Sequence, residues 1–366
     1  MVKPRLIFFI LTTLTFCSCR TGNEYKYAIK DFRNSLQPHL TKIVDKGIVM
    51  YSNSALSDMA TDEELQRMGK SEHPIIRAAA FREMLKRESF NRFDLIIEHL
   101  NDTALVFTDA GEFGIWDRTV SDDILQEANW KTQQDKDKTI EQVLVKHNYL
   151  RSAYIILEGL EPQEKYYSFI KDMATRPRRL DEGYELGFGD IEYALYGLAK
   201  FKKKSDVEVI KKRLMEHVWR LSDISFRLME EYPDTLYFDV LQNYHRRQFY
   251  KFSGNRPGGF SGYVADRAAP EDFIRALVIQ QSDKSAKLLD TMLNRLPLQN
   301  CMPDKQNIFN EIITAIWEHP CPAYARLRIK VKPKAEDVLE RQIFMPMDST
   351  YQNEVDTTVR EIGWYP

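Results

Sequence analysis

"HPIIRAAAFREML", residues 73–85, sets three alanines in a row between an isoleucine pair and a phenylalanine. Pro74 suits the first turn of a helix, where a backbone amide has no partner to lose. Gly69 upstream closes a preceding helix, and "TDEE" (Thr61, Glu64) fits the capping box that opens it. Within 74–87, Ile76, Ala79, Ala80 and Met84 share one face. Small residues at 78–80 let a second helix come close, because interaxial distance follows the side chains at the contact. The stretch predicts a closely packed helical pair over 56–87.

The same signals recur along the chain. "SDVE" (Ser205, Glu208) repeats the capping box, and Ser222, Ser282, Asp190 and Asp304 stand as N-caps before apolar-periodic runs. Pro162 and Pro270 suit first turns, while Pro233 and Pro297 stop helices. Periodicity predicts helices near 26–36, 39–48, 61–69, 74–87, 92–100, 121–129, 137–147, 149–160, 163–174, 190–202, 206–218, 223–231, 235–250, 271–280, 283–296 and 305–318. Two places read as extended. "TALVFTDAGEFGIW" (103–116) predicts a hairpin turning at Asp109–Glu112, and "LRIKVK" (327–332) alternates apolar and basic residues as a half-buried strand does. Helix, short polar turn and helix recur with Ser-Asp turns at 205 and 282, about two periods of a roughly 40-residue repeat. No helix is apolar all round, so each must bury its stripe against neighbours. The expected fold is all-α: an α-solenoid of antiparallel helical pairs, with a small β-hairpin and a C-terminal extended segment.

The 73–85 stretch also resembles the second helix of a HEAT repeat, through Pro74, Ile76, Arg77, Ala80 and Met84 with Leu85. The likeness covers about 30 residues of one pair. It implies a surface for binding other macromolecules.

The N-terminus supplies an address. Lys3 and Arg5 form a positive region, Leu6–Phe16 is uncharged and mostly apolar, and small or polar residues follow, as in a secretory signal. That run is about 11 residues, against roughly 20 needed to cross a bilayer. "LTFCSCR" at its end resembles the lipobox of bacterial lipoproteins, in which a small residue precedes the cysteine that is acylated. Ser18 before Cys19 fits better than Phe16 before Cys17. The resemblance implies lipidation at Cys19 and a place in the cell envelope, held on a membrane and facing the periplasm or outer membrane; an ordinary cleaved signal is the alternative. Arg20 follows the cysteine, so no acidic inner-membrane retention residue stands there. The resulting division is a signal peptide at 1–18, a tether and N-terminal helices at 19–53, a HEAT-like region at 54–147, further helical pairs at 148–320 and an extended tail at 321–366. Cys301 and Cys321 remain in an oxidising compartment, either paired, with about 3 kcal/mol from closing that loop, or as two buried thiols.

Composition narrows the functions. The chain of 366 residues is 43% hydrophobic and 29% charged with formal net charge -2, so it has core to spare and no general attraction for nucleic acid. Seven histidines show no metal-ligand spacing, and no CxxC, nucleophile elbow or Walker lysine occurs, so neither metal nor cofactor is expected. "RRLDEGYELGFGD" (178–190) carries Asp181, Glu182, Glu185 and Asp190, but its spacing is not that of a calcium loop. "HRRQFYK" (245–251) reads as a solvated basic helix face or as a contact for phosphate-bearing envelope polymers. Trp219, Phe249, Tyr250, Phe252, Phe260 and Tyr263 gather around the Gly-rich 254–262 loop, either as core or as a ligand-binding aromatic surface. These features predict a non-catalytic scaffold for a protein or glycan partner. An envelope hydrolase with its site in the 176–190 and 251–270 loops is the alternative.

Overall fold

The computed structural model describes residues 25–49, 54–109, 115–128, 130–177, 188–219, 221–249, 270–295, 303–332 and 335. It is mostly helical, with a small three-stranded sheet. Of the described residues, those up to Ser89 with Val106–Asp117 form one compact unit, and Phe90–Leu105 with those from Arg118 onward form another.

The first unit holds helices α1 (Gln37–Lys46), α2 (Ser54–Met59), α3 (Asp62–Met68) and α4 (Pro74–Lys86). Gly47 ends α1 at φ 66, a left-handed conformation that favours glycine. The predicted capping box opens α3: Thr61 Oγ1 accepts the Glu64 amide at 3.2 Å, and Glu64 accepts the Thr61 amide at 2.9 Å. The alanine stretch is α4, and here the expectation of one apolar face is corrected. Every residue from Ile76 to Leu85 is buried, Arg77, Arg82 and Glu83 included. α4 touches α1, α2, α3 and strand β1 (Ile48–Val49), so the short side chains admit neighbours on several sides. A buried guanidinium needs partners. Arg77 donates to the Ser71 carbonyl at 2.9 Å and lies 3.6 Å from the Tyr25 ring centroid. A Cβ on Gly69 would lie 2.8 Å from Cε1 of Phe81, so glycine lets that ring sit against the end of α3.

Residues 26–36 do not form the predicted helix; only a 3-10 turn, Ile29–Asp31, appears. Long-range pairing takes their amides instead, since Lys26 donates to the Lys70 carbonyl at 2.9 Å and Tyr27 accepts from the Glu72 amide at 3.1 Å. The predicted hairpin is present as β2 (Leu105–Asp109) and β3 (Ile115–Thr119), although most of its turn lies outside the described residues. β1 joins β2 in parallel register, Ile48 opposite Phe107 and Val49 opposite Thr108, giving the order β1-β2-β3.

The second unit continues with α5 (Arg92–His99), α6 (Val120–Gln126), α7 (Gln133–Lys146), α8 (Arg151–Gly159), α9 (Tyr167–Thr175) and α10 (Phe188–Ala199). After them come α11 (Val207–Glu216), α12 (Asp223–Glu231), α13 (Phe238–Tyr244), α14 (Pro270–Val278), α15 (Asp283–Arg295) and α16 (Pro303–Glu318). Their packing follows one rule. Each odd helix from α5 to α13 touches the next odd one, each even helix from α6 to α14 touches the next even one, and cross-contacts join the two rows. Short 3-10 turns lead into α9, α11 and α13, ending on Tyr166, Asp206 and Tyr237, all buried.

Residues 325–332 are helical (α17), not the predicted strand, and so the start of the supposed extended tail is corrected as well. Alternation misled because Leu327 and Val331 also stand four apart. The helix buries both and leaves Ile329, the middle of the alternating triplet, 76% exposed. Arg328 then caps α16 from its C-terminal end, donating to the Ile316 and Trp317 carbonyls at 3.1 and 2.8 Å. Residues 336–366 lie outside the described residues.

Buried carboxylates brace the even row. Asp122 on α6 accepts the Ser152 amide in the first turn of α8 at 2.8 Å. Glu192 on α10 does the same for α12, accepting from the Ser222 amide and hydroxyl, each at 2.9 Å, and from the Ser225 hydroxyl. Burial pushes the Glu192 carboxyl up to about 7 against the lowering effect of those donors. Ser222 is thus an N-cap whose hydroxyl serves Glu192 and not its own helix. Ser282 caps α15 as predicted, accepting from the Ser285 amide at 3.1 Å. The Ser205–Glu208 box does not form, because Ser205 lies inside a 3-10 turn. Asp190 lies within α10, where it pairs with Arg151 of α8 at 3.2 Å. α8 and α10 approach closely at Gly197, where a Cβ would meet that of Leu157 at 3.1 Å.

Candidate binding groove

Along the odd row, lysine–carboxylate pairs stitch one helix to the next. Lys165 meets Glu141 at 3.0 Å, Lys171 meets Asp206 at 2.8 Å and Lys203 meets Glu164 at 2.6 Å, joining the α7, α9 and α11 layers. Lys204 pairs with Asp234, and Lys211 with Asp239 at 2.7 Å, joining α11 to α13. Further on, Lys330 of α17 meets Asp290 of α15 at 2.6 Å.

Between α13 and α15 the stitching stops. A cavity of about 540 Å³ opens there. Phe238, Gln242, His245 and Arg246 line it from α13 and its continuation, four- and eight-residue steps that keep Phe238, Gln242 and Arg246 on one side of a helix. Lys284, Lys287, Leu288 and Thr291 line it from α15 in the same manner. The acid at its rim, Asp239, is already bound to Lys211. Among the described residues no carboxylate lies within ion-pair distance of Arg246, Lys284 or Lys287.

The local backbone is unusual too. α13 continues as a π turn over His245–Phe249, a widened form that recurs at functional sites. His245 is buried and stacks on Phe273 of α14, ring centroids 6.2 Å apart and 17° between planes. Phe226 and Tyr244 complete that cluster at 5.0 Å from each other, with Phe273 5.9 and 5.5 Å away. This aromatic floor holds the π turn, while Lys284 Nζ lies 5.7 Å from the Phe238 ring centroid at the groove wall.

The residues expected to bind a ligand are not brought together by the described part of the chain. Trp219 is 43% exposed, just beyond α11. Phe249 ends the π turn with its side chain outside the described residues, and Tyr250, Phe252, Phe260 and Tyr263 lie outside them altogether. Cys19 and Cys301 do as well; Cys321 is half-buried at the start of a 3-10 turn. Arg246, part of the basic stretch singled out in the sequence, does line the groove. Lys284, Lys287, Gln242 and Thr291 were missed. Their signal is present only as helical spacing on two helices some 40 residues apart, and nothing in the sequence says that those two faces meet.

Comparison with protein-family models, curated proteins and solved structures returned no match.

Proposed function

We propose that the chain is a lipid-anchored protein of the bacterial cell envelope, acylated at Cys19, whose helices stack as a HEAT-like solenoid and serve as a non-catalytic scaffold for a protein or glycan. The observation that carries this reading is the two-row neighbour order from α5 to α16. Odd-row helices start at Gln133, Tyr167, Val207, Phe238 and Asp283, intervals of roughly 30–45 residues, within the range of helical-repeat periods. Stacked repeats offer extended surfaces for macromolecules, and the unstitched α13–α15 groove supplies one place of contact. Anchoring rests on residues 1–24, outside the described part; among the described residues no helix is long and apolar enough to cross a membrane.

Two measurements test the proposal. Metabolic labelling with a palmitate analogue should mark the full chain and fail on Cys19→Ala. Crosslinking in intact cells should then recover a stoichiometric protein or glycan. An unlabelled protein recovered from the cytosol, or one that crosslinks to nothing, ends this reading.

A further inference from the structure

We infer that the α13–α15 groove is a binding site for terminal phosphate groups, as in phosphate monoesters, with Arg246, Lys284 and Lys287 as the anion-binding groups and Gln242 and Thr291 as neutral hydrogen-bonding groups. This deepens the scaffold reading and rests on it only in treating the groove as a contact surface. In the neighbouring layers of the odd row, lysines that face the next helix are answered by Glu141, Asp206, Glu164, Asp234, Asp239 or Asp290. In this groove three cations from two helices share a cavity of about 540 Å³, and among the described residues the one carboxylate lining it, Asp239, is taken by Lys211. Like charges that converge repel one another, and an anion held between them relieves that repulsion. Phosphate fits the set better than carboxylate does. The three terminal oxygens of a phosphate monoester can serve an arginine fork and two ammonium groups together, whereas a carboxylate, like a phosphate diester, has two free oxygens to share among three donors. Exposure of all three cations at the rim leaves their charge screened by salt, so binding should weaken as ionic strength rises.

The test uses the full chain in detergent, titrated calorimetrically with sodium pyrophosphate. Wild-type protein should bind, and the triple variant R246Q/K284Q/K287Q should bind about tenfold or more weakly with an unchanged circular dichroism spectrum. Lys204→Gln, which removes a charge from a stitched layer, should leave binding unaltered. Two further arms identify the source of the phosphate. Glucose 1-phosphate binding points to a phosphorylated sugar, and retention on phosphatidylcholine vesicles containing phosphatidic acid, but not on phosphatidylcholine alone, points to a lipid headgroup. Absence of pyrophosphate binding, equal binding by the triple variant, or equally tight binding of poly-glutamate overturns the inference. If phosphate binding fails while crosslinking still captures a partner, only this inference falls; if crosslinking fails while phosphate binds, only the scaffold reading falls.

Discussion

In the first unit α4 is a hub: α1, α2, α3 and β1 all touch it, and ten consecutive residues of it are buried. In the second unit the contacts run in two rows: each helix from α5 to α14 meets the one two places on, and even α10, which touches α8, α9, α11 and α12, gathers only helices within two places of it in the chain. The two regions use similar lengths of helix and similar residues, yet they should fail differently. Loss of a hub removes several contacts together, whereas loss of one helix from a row is felt mainly by the helices it touches.

Removal of the hub's largest apolar side chain gives the greatest effect. Phe81→Ala should cost about 3–5 kcal/mol in urea unfolding, and hydrogen exchange should rise throughout α1, α3 and α4 together. If exchange rises in α4 alone, the first unit is no hub and the comparison breaks. Next in size is the Glu192 brace. Its folded carboxyl titrates near 7, above its ordinary 4.5, so the folded state holds the proton more tightly than the unfolded chain does. Its contribution is complete below the ordinary value and declines as pH rises toward 7, by on the order of 3 kcal/mol across that window. Glu192→Gln should flatten this slope, and amide protection should be the readout: at rising pH, wild type should lose it in α10 and α12. A slope unchanged in the variant assigns the titration elsewhere.

A packing change in the stack should be smaller and local. Gly197→Val forces α8 and α10 apart and should cost about 1–3 kcal/mol, with exchange rising in α8 and α10 but not in α14 or α16. Uniform exchange along the whole second unit would show cooperativity that the neighbour rule does not contain. The least effect belongs to the stitches. Lys211→Met should change stability by less than about 1 kcal/mol, since its partner Asp239 is half exposed. A larger loss would make the odd-row ion pairs structural, not ornamental to packing.

The comparison also explains where sequence reading succeeded and where it failed. The HEAT-like motif lies in the first unit, whose packing is concentric, while the two-row order appears in the second, where sequence likeness was thin. A short motif records what one helix needs from its neighbours: small residues, a proline start, an aliphatic ridge. It does not record how many neighbours there are. Ala78, Ala79 and Ala80 permit close approach from any direction, and only the arrangement of α1, α2, α3 and β1 shows that several directions are used. The groove teaches the same point for function. Arg246 was visible in a basic run, but Lys284 and Lys287 look like any solvated helix face until α15 is set against α13.

What the sequence determined by itself was local. Helix positions from α3 to α16, the capping box at Thr61, the proline start of α14 and the two strands of the hairpin follow from hydrogen-bonding needs and apolar spacing within a few turns. Tertiary structure decided the rest. It drew residues 26–27 to the 70–72 backbone, turned 325–332 into a helix by burying Leu327 and Val331, and set three cations between α13 and α15 without a carboxylate partner among the described residues. The physical reason is common to all three: each outcome depends on which distant group lies within hydrogen-bonding, packing or ion-pair range, and sequence spacing fixes that only within a single element.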